Sequence, residues 1–414
     1  MGLSAAAGEV LRPLQNGREG AKMQASYGCH CEARSAEAIS PMLRLPRPCW
    51  ARHDGQEAKT VSMPTTPGHS PQPASAGRPR LALARGEARY DNVRAALDLI
   101  ADQIDLRDKQ RLLIKPNFVS TERQLAATHV DAVRAVLDFL RARTAAPIVI
   151  AEGAALSDTF DGFRNFGYQP LVEAYSVELC DLNRDAWLPV TVYDRHLQPQ
   201  QLRLARRVVE SDFRISVCPP KTHDTVIVTL SLKNMVMGSL ISDHANGGGT
   251  LGLLRWAADI IPRPIKQSPL YENMKGRVAS RSGSDKMAMH QGYPVINLNL
   301  AKVAPLVAPH LAVIDGFAGM EGLGPNFGDP VDWRVAVAST DCLAADVLTT
   351  WLMGFDPADI GYLVYAGRLG LGVSDLAAIE VVGARPEDCR RPFRPSPTTD
   401  EQRRWQSAAV ERLL

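Results

Sequence analysis

Lys221-Thr222-His223 and Lys233-Asn234 fall within one stretch, Cys218 to Gly238, that otherwise reads as buried. A core strand has no need of two ammonium groups, an imidazole and an amide. A lysine can hold an anionic group as a point charge or, when desolvated, act as a base. A neutral histidine can serve as general base or metal ligand. Other polar groups follow short apolar runs directly: Lys115-Pro116-Asn117, Glu152-Gly153 and Asp315-Gly316. The loop Asp315 to Asp329 adds Glu321 and several glycines, Gly322 and Gly324 among them, whose backbone N–H groups could approach an anion closely. It matches neither the phosphate-binding loop ending in Gly-Lys-Ser/Thr nor the dinucleotide Gly-x-Gly-x-x-Gly pattern. The candidate catalytic residues are therefore His223, Lys221, Glu152 and Glu321. Lys115, Asn117, Thr222, Lys233, Asn234, Gly322 and Gly324 would bind substrate. A metal, if one is held, would draw on His223, His290 and Asp315, although none of these forms a short-spaced ligand motif. Taken singly, each position also reads as a cap, a turn residue or a lysine reaching for solvent.

What would gather these groups is a parallel sheet, because the carboxyl ends of its strands share one edge, where open α/β sheets bind ligands. Short β runs and helical stripes alternate from Leu81 onward: strands at Leu81–Ala84, Arg111–Asn117, Pro147–Gly153 and Val177–Asn183, with helices at Asp91–Ile104 and Asp131–Arg143 between them. The second helix carries Val133, Val136, Leu137 and Leu140 on one face. Leu188 to Val209 alternates like an antiparallel pair, so the expected fold is α/β with a mixed, mainly parallel sheet and helices on both faces. Phe213–Val217 then leads through Pro219-Pro220 to Lys221, and Val226–Leu230 is a further β-like run. Later elements are helices at Val295–Val307, Cys342–Met353 and Ile360–Arg368 and strands at Leu311–Asp315, Val335–Ala338 and Ala378–Val382. Between them lies a long irregular insertion around 242–291, read as a lid or, as the alternative, a disordered loop, with a helical piece at Leu251–Asp259.

Residues 1–80, rich in Ala, Ser, Pro, Gly and Arg, read as a disordered N-terminal extension, with Met63 as an alternative start. The α/β domain spans 81–383, and 384–414 is expected to be a peripheral C-terminal tail. At 414 residues, 45% hydrophobic and 22% charged, the chain can bury one large core or two moderate ones. Its formal charge of +2, without a basic tract, argues against nucleic acid as a partner. No apolar run approaches the roughly 20 residues of a membrane helix, and no secretory signal opens the chain. The seven scattered cysteines suit reduced thiols in the cytoplasm and lack the close spacing of an iron-sulfur site.

Lys115-Pro-Asn117, Thr128-His129, Glu152-Gly153, Lys221-Thr-His223, Leu232-Lys-Asn234, Asp315-Gly316, Met320-Glu-Gly322, Gly324-Pro325, Asp341 with Asp346, and Met353-Gly-Phe355 follow one another in an order that resembles the family catalogued as domain of unknown function 362. The resemblance runs from about Leu81 to Gly383. It implies an α/β domain, described in some members as iron-sulfur-associated because they carry a ferredoxin-like cysteine segment. That segment is absent here, and with it the expectation of a cluster. The resulting expectation is a cytoplasmic enzyme acting on a small anionic substrate or cofactor, with a divalent metal as an optional assistant. The alternative is a non-catalytic redox or carrier module that holds a cofactor or metal. Substrate, reaction class and oligomeric state stay open.

Overall fold

Runs such as Leu112–Lys115 and Phe213–Cys218 are buried along their whole length, as parallel strands covered on both faces must be. The computed structural model describes residues 78–155, 157–243 and 284–414, all within one of the two units of the chain, Ala58–Leu414. In chain order the strands are β1 (Arg80–Arg85), β2 (Leu112–Lys115), β3 (Ile148–Glu152), β4 (Glu178–Asp181), β5 (Trp187–Tyr193), β6 (Pro199–Ala205), β7 (Phe213–Cys218), β8 (Lys221–His223), β9 (Ile227–Thr229), β10 (Leu311–Glu321), β11 (Asp329–Ser339) and β12 (Glu380–Gly383). The main sheet follows the order β12-β1-β11-β10-β7-β2-β3-β4, with β8 paired to β10 and β9. From β10 to β4 every neighbour is parallel. The fold is thus α/β, with a mixed and mainly parallel sheet.

Helices Arg89–Leu99 and Val130–Arg141 cover one face, where Val93, Leu97, Val133, Val136 and Leu140 join Leu112, Ile114, Ile150, Ile215 and Val313 in the main core. The second of them starts at His129, whose Nδ1 accepts the Asp131 N–H. Helices Ser231–Ser239 and Cys342–Leu352 pack on the other side, against β7, β10 and β11. No helix among the described residues is long and apolar enough to cross a membrane.

Three sequence expectations are corrected here. Leu188–Val209 does contain an antiparallel pair, β5 and β6, but it forms a separate two-stranded sheet and ends in the helix Arg206–Glu210. The main sheet is mixed instead because β11 runs antiparallel to both β10 and β1. Asp315-Gly316 is neither a strand end nor a turn. β10 continues through it to Glu321, held by β11 with a register shift between Gly316 and Ala318, so the glycine-rich loop shrinks to the residues between the two strands. The glycines taken into β10 serve close packing: a Cβ on Gly319 would lie 2.6 Å from the Phe393 ring, and one on Gly316 2.7 Å from Val335.

The third correction concerns 384–414, which is not peripheral. Phe393 packs edge-on against Trp333, Trp405 against Tyr365 in a second apolar cluster, and Gln402 is buried. Apolar side chains spaced irregularly in a Pro/Arg-rich stretch give no periodic signal, although each fills a gap in the surface. The extension 1–77 and the insertion 244–283, with its helical piece at 251–259, lie outside the described residues. The flanks of the insertion meet as a bridge between Ser242 and Ser284, and Arg203 forms ion pairs with Asp243 and Asp285.

Candidate functional site

The carboxyl ends of β2 and β3 and the segment after β7 bring Lys115, Glu152, Asn117 and Lys221 together with Asn234. Lys115 sits on the last residue of β2. Its Nζ donates to Glu152 Oε2 at 2.5 Å, Asn234 Oδ1 at 2.9 Å and Pro116 O at 3.0 Å, which uses all three of its hydrogens. Asn117 Nδ2 donates to the same Asn234 oxygen at 3.1 Å, and Asn117 Oδ1 accepts from Lys221 Nζ. Lys221 also donates to Ala126 O at 3.0 Å. Asn234 completes the network by donating to Ser216 Oγ at 3.0 Å.

A second pair lies on β8 and the helix Ser231–Ser239, where Lys233 Nζ and His223 Nε2 are 2.9 Å apart, both buried. His223 Nδ1 accepts the Thr225 N–H at 3.0 Å, and Asp224 Oδ1 lies 3.1 Å from the same nitrogen. Two proton arrangements fit this geometry. With Nδ1 accepting from Thr225, the neutral ring carries its hydrogen on Nε2 and Lys233 is an uncharged amine that accepts it. With Nδ1–H turned to Asp224, Nε2 accepts from a Lys233 ammonium. The second state holds one proton more than the first, so the pair can take up a proton on Lys233 while the ring stays neutral. Burial, reinforced by the Lys233 charge, pushes His223 down to about 3, and burial pushes Lys233 down to about 8. Burial thus favours a neutral imidazole and brings Lys233 closer to neutrality than an exposed lysine.

Electrostatically the site is lopsided. Lys221, Lys233 and Lys286 are 1%, 6% and 4% exposed, and among the described residues none of the three is hydrogen-bonded to a carboxylate. Lys286 donates to Asn183 Oδ1 at 2.9 Å and to Leu240 O. Burial pushes Lys221 and Lys286 down to about 7. Two glycines keep the lysines within reach of the strand ends: a Cβ on Gly238 would lie 2.0 Å from Lys115 Nζ, and one on Gly153 2.9 Å from Lys286 Nζ.

The remaining sequence candidates are placed elsewhere. Thr222 Oγ1 donates to Gly322 O at 3.1 Å, and a Cβ on Gly324 would meet Thr222 O at 2.0 Å. These three residues seat the β10–β11 turn on β8, and none of them hydrogen-bonds to a lysine of the site. Glu321 accepts the Arg394 N–H at 2.9 Å at the tip of that hairpin. Asp315 is buried in an ion pair with Arg89 at 2.9 Å. The suggested metal set therefore does not assemble: Asp315 is committed to Arg89, His290 Nδ1 contacts Lys286 O at 3.2 Å, and no group of three or more His, Cys, Asp or Glu among the described residues could hold a metal ion. Nor do the described cysteines suit a cluster, since Cys180, Cys218, Cys342 and Cys389 are buried, free thiols on separate elements.

Sequence reasoning missed Lys286, Asn183, Ser216 and Gln402. Asn183 had a usable signal, since it follows β4 as Asn117 follows β2. Lys286 had none, because it lies in the stretch set aside as irregular. Asp346 was noted without a role. Its carboxylate accepts the Ser231 and Leu232 N–H groups at 2.9 and 2.8 Å, capping the helix that presents Lys233 and Asn234, and burial pushes it up to about 7. Gln402 Nε2 donates to His223 O at 3.0 Å while its Oε1 accepts the Ile227 N–H, and Thr398 Oγ1 donates to Asp224 O at 3.1 Å. Ile227 has φ 64°, a left-handed conformation that is strained for a β-branched side chain; the buried amide of Gln402 holds it.

Among known proteins, the thylakoid-associated protein sll1697 of Synechocystis sp. is 24% identical over 263 residues, covering 63% of this chain and 68% of that protein. The lactate racemase apoprotein from Thermoanaerobacterium thermosaccharolyticum aligns over 67% of this chain with 12% identity and a TM-score of 0.37, and the chain spans 57% of that protein. The four lysines, the two asparagines between them and Glu152 all fall within residues 112–351, which match the family model described as Domain of unknown function (DUF362), and the chain belongs to that family.

Proposed function

We propose that the chain is an enzyme that binds a small anionic substrate or cofactor at the carboxyl-end edge of its parallel strands and moves a proton there. The observation that carries this reading is the set of buried lysines, Lys221, Lys233 and Lys286, with no carboxylate partner among the described residues. A buried ammonium is costly unless a negative group faces it, and an anionic ligand supplies that group. Lys115 and Glu152, already neutralising one another, would brace Asn234 and Asn117 behind the ligand. Lys233, poised near neutrality against His223, would accept or return the proton, since a catalytic base works best with a pKa near the working pH. Lys221 and Lys286 would hold the anion as point charges.

The test begins with the protein from its own host. Small molecules released from it on denaturation are identified by mass spectrometry, and any that are retained are offered back as substrates. His223→Ala and Lys221→Ala should each abolish turnover or ligand retention while the circular dichroism spectrum stays that of the wild type. Retention and turnover undiminished in both variants would sink the proposal. A ligand retained by wild type but never converted under any condition would favour the carrier reading instead.

A further inference from the structure

Lys115 is saturated and neutralised, so the charge left over belongs to the other three lysines. Lys221 and Lys286 each have two hydrogen-bond partners, and Lys233 has one, the His223 ring. An ammonium has three hydrogens to give, so each of the three retains donor capacity inside the protein. Glu152, whose field reaches both Lys221 and Lys286, is bonded to Lys115, and the other carboxylates whose fields reach Lys286 are engaged elsewhere as well. Asp285 is bonded to Arg203, and Asp181 accepts from Thr159 and pairs with Arg184. Asp224, whose field reaches Lys233, lies against His223 Nδ1 and accepts from Thr225 Oγ1. A single carboxylate would offset one of these charges and leave the others uncompensated. The hydrogen bonds of the network are also made without arginine, the residue whose planar fork matches carboxylates, whereas lysine serves phosphate as a point charge.

Building on the anion-site reading above, we infer that the ligand carries one or more phosphoryl groups, whose charge Lys221, Lys233 and Lys286 answer. A phosphoryl group brings nearly two negative charges at neutral pH and three terminal oxygens, so that three separate ammonium groups can each find an acceptor. Burial has already pushed these lysines towards neutrality, and a bound dianion would return them to the charged form.

Isothermal titration of the full chain at pH 7 with inorganic phosphate, pyrophosphate, malonate and acetate tests the inference. Phosphate or pyrophosphate should bind at least about tenfold more tightly than malonate or acetate. Lys221→Met, Lys233→Met and Lys286→Met should each weaken that binding by about tenfold or more, while Lys109→Met, half-buried ahead of β2 and so beyond the strand end opposite to Lys115, leaves it unchanged. Malonate binding as tightly as phosphate would overturn the phosphoryl assignment and leave the anion site standing. Failure of every anion to bind the wild type would overturn both. Phosphate affinity unchanged in all three lysine variants would put the bound phosphate elsewhere on the chain and overturn the inference too. Should a variant fail to fold, the anion series on the wild type still decides.

Discussion

Glu152 neutralises one buried ammonium, and its removal isolates that charge. Breaking a buried pair from one side costs about 3–5 kcal/mol because the remaining ion is left uncompensated. Glu152→Gln should destabilise the protein by about that much in urea unfolding, and adding Lys115→Met should recover most of the loss; a penalty below about 1 kcal/mol for the single change would contradict the pairing. The three other lysines make stability depend on pH in a definite direction. Their folded values, about 7 for Lys221 and Lys286 and about 8 for Lys233, lie below the 10.5 of a free lysine. A depressed lysine contributes stability above its unfolded value and loses it as pH falls towards the folded one. Asp346 has the opposite displacement, up to about 7. Its stabilising contribution is complete below the unfolded value near 3.8 and is lost as pH rises through about 7, so its opposing slope fades within roughly a unit above that, where the lysines dominate. Anion-free protein should therefore become more stable from about pH 7 to about pH 8.5; above that the unfolded thiols ionise while burial holds Cys180, Cys218, Cys342 and Cys389 protonated in the fold, which opposes a further rise. A urea midpoint that is flat or falling over that range would show that the lysines are compensated within the chain. A bound anion should flatten the rise.

At the level of elements, the site depends on two pieces held from a distance. The helix Ser231–Ser239 has no cap of its own at Leu230 and borrows the carboxylate of Asp346 from the helix Cys342–Leu352. Losing a cap costs about 0.5–2 kcal/mol, and leaving buried N–H groups unpaired adds about 1–3. Asp346→Ala should therefore lower stability by about 2–4 kcal/mol and loosen Lys233 and Asn234 together. Asp346→Asn keeps one acceptor oxygen and should lose less. The β8–β9 hairpin in turn depends on Gln402. Gln402→Leu leaves His223 O and Ile227 N–H without partners and should cost about 1–3 kcal/mol. Gln402→Glu preserves the acceptor for Ile227 and should recover part of it. Equal stability of the Leu variant and the wild type by thermal unfolding would remove the brace from the account.

For the whole molecule, the C-terminal segment behaves as part of the domain. It closes the β10–β11 hairpin with Phe393, fills the second apolar cluster with Trp405 and braces the site through Gln402. Cutting the chain after Gly383 should abolish cooperative unfolding or lower the melting temperature by well over about 10 °C, since several buried aromatic and polar anchors leave together. A truncated chain that melts with the wild type would show that the segment only rests on the surface.

Much of the sheet was legible because its signals are local. Runs such as Leu112–Lys115 and Ile148–Glu152, bounded by turn residues and alternating with helical stripes, have only one economical arrangement. The strand-end rule then brought Lys115, Asn117, Glu152 and Lys221 to one edge from sequence alone. It failed at Asp315, where a continuous strand and a turn both tolerate Asp-Gly, and β11 paired onto β10 decided for the strand. It was silent on Lys286, Gln402 and the cap from Asp346, whose roles arise from contacts between residues far apart in the chain. Residue type and local pattern determined which groups could do chemistry and which edge they would reach. Only tertiary packing decided which lysine would be neutralised and which would be left without a carboxylate partner among the described residues, because burial and counter-charge are properties of neighbours brought together by folding.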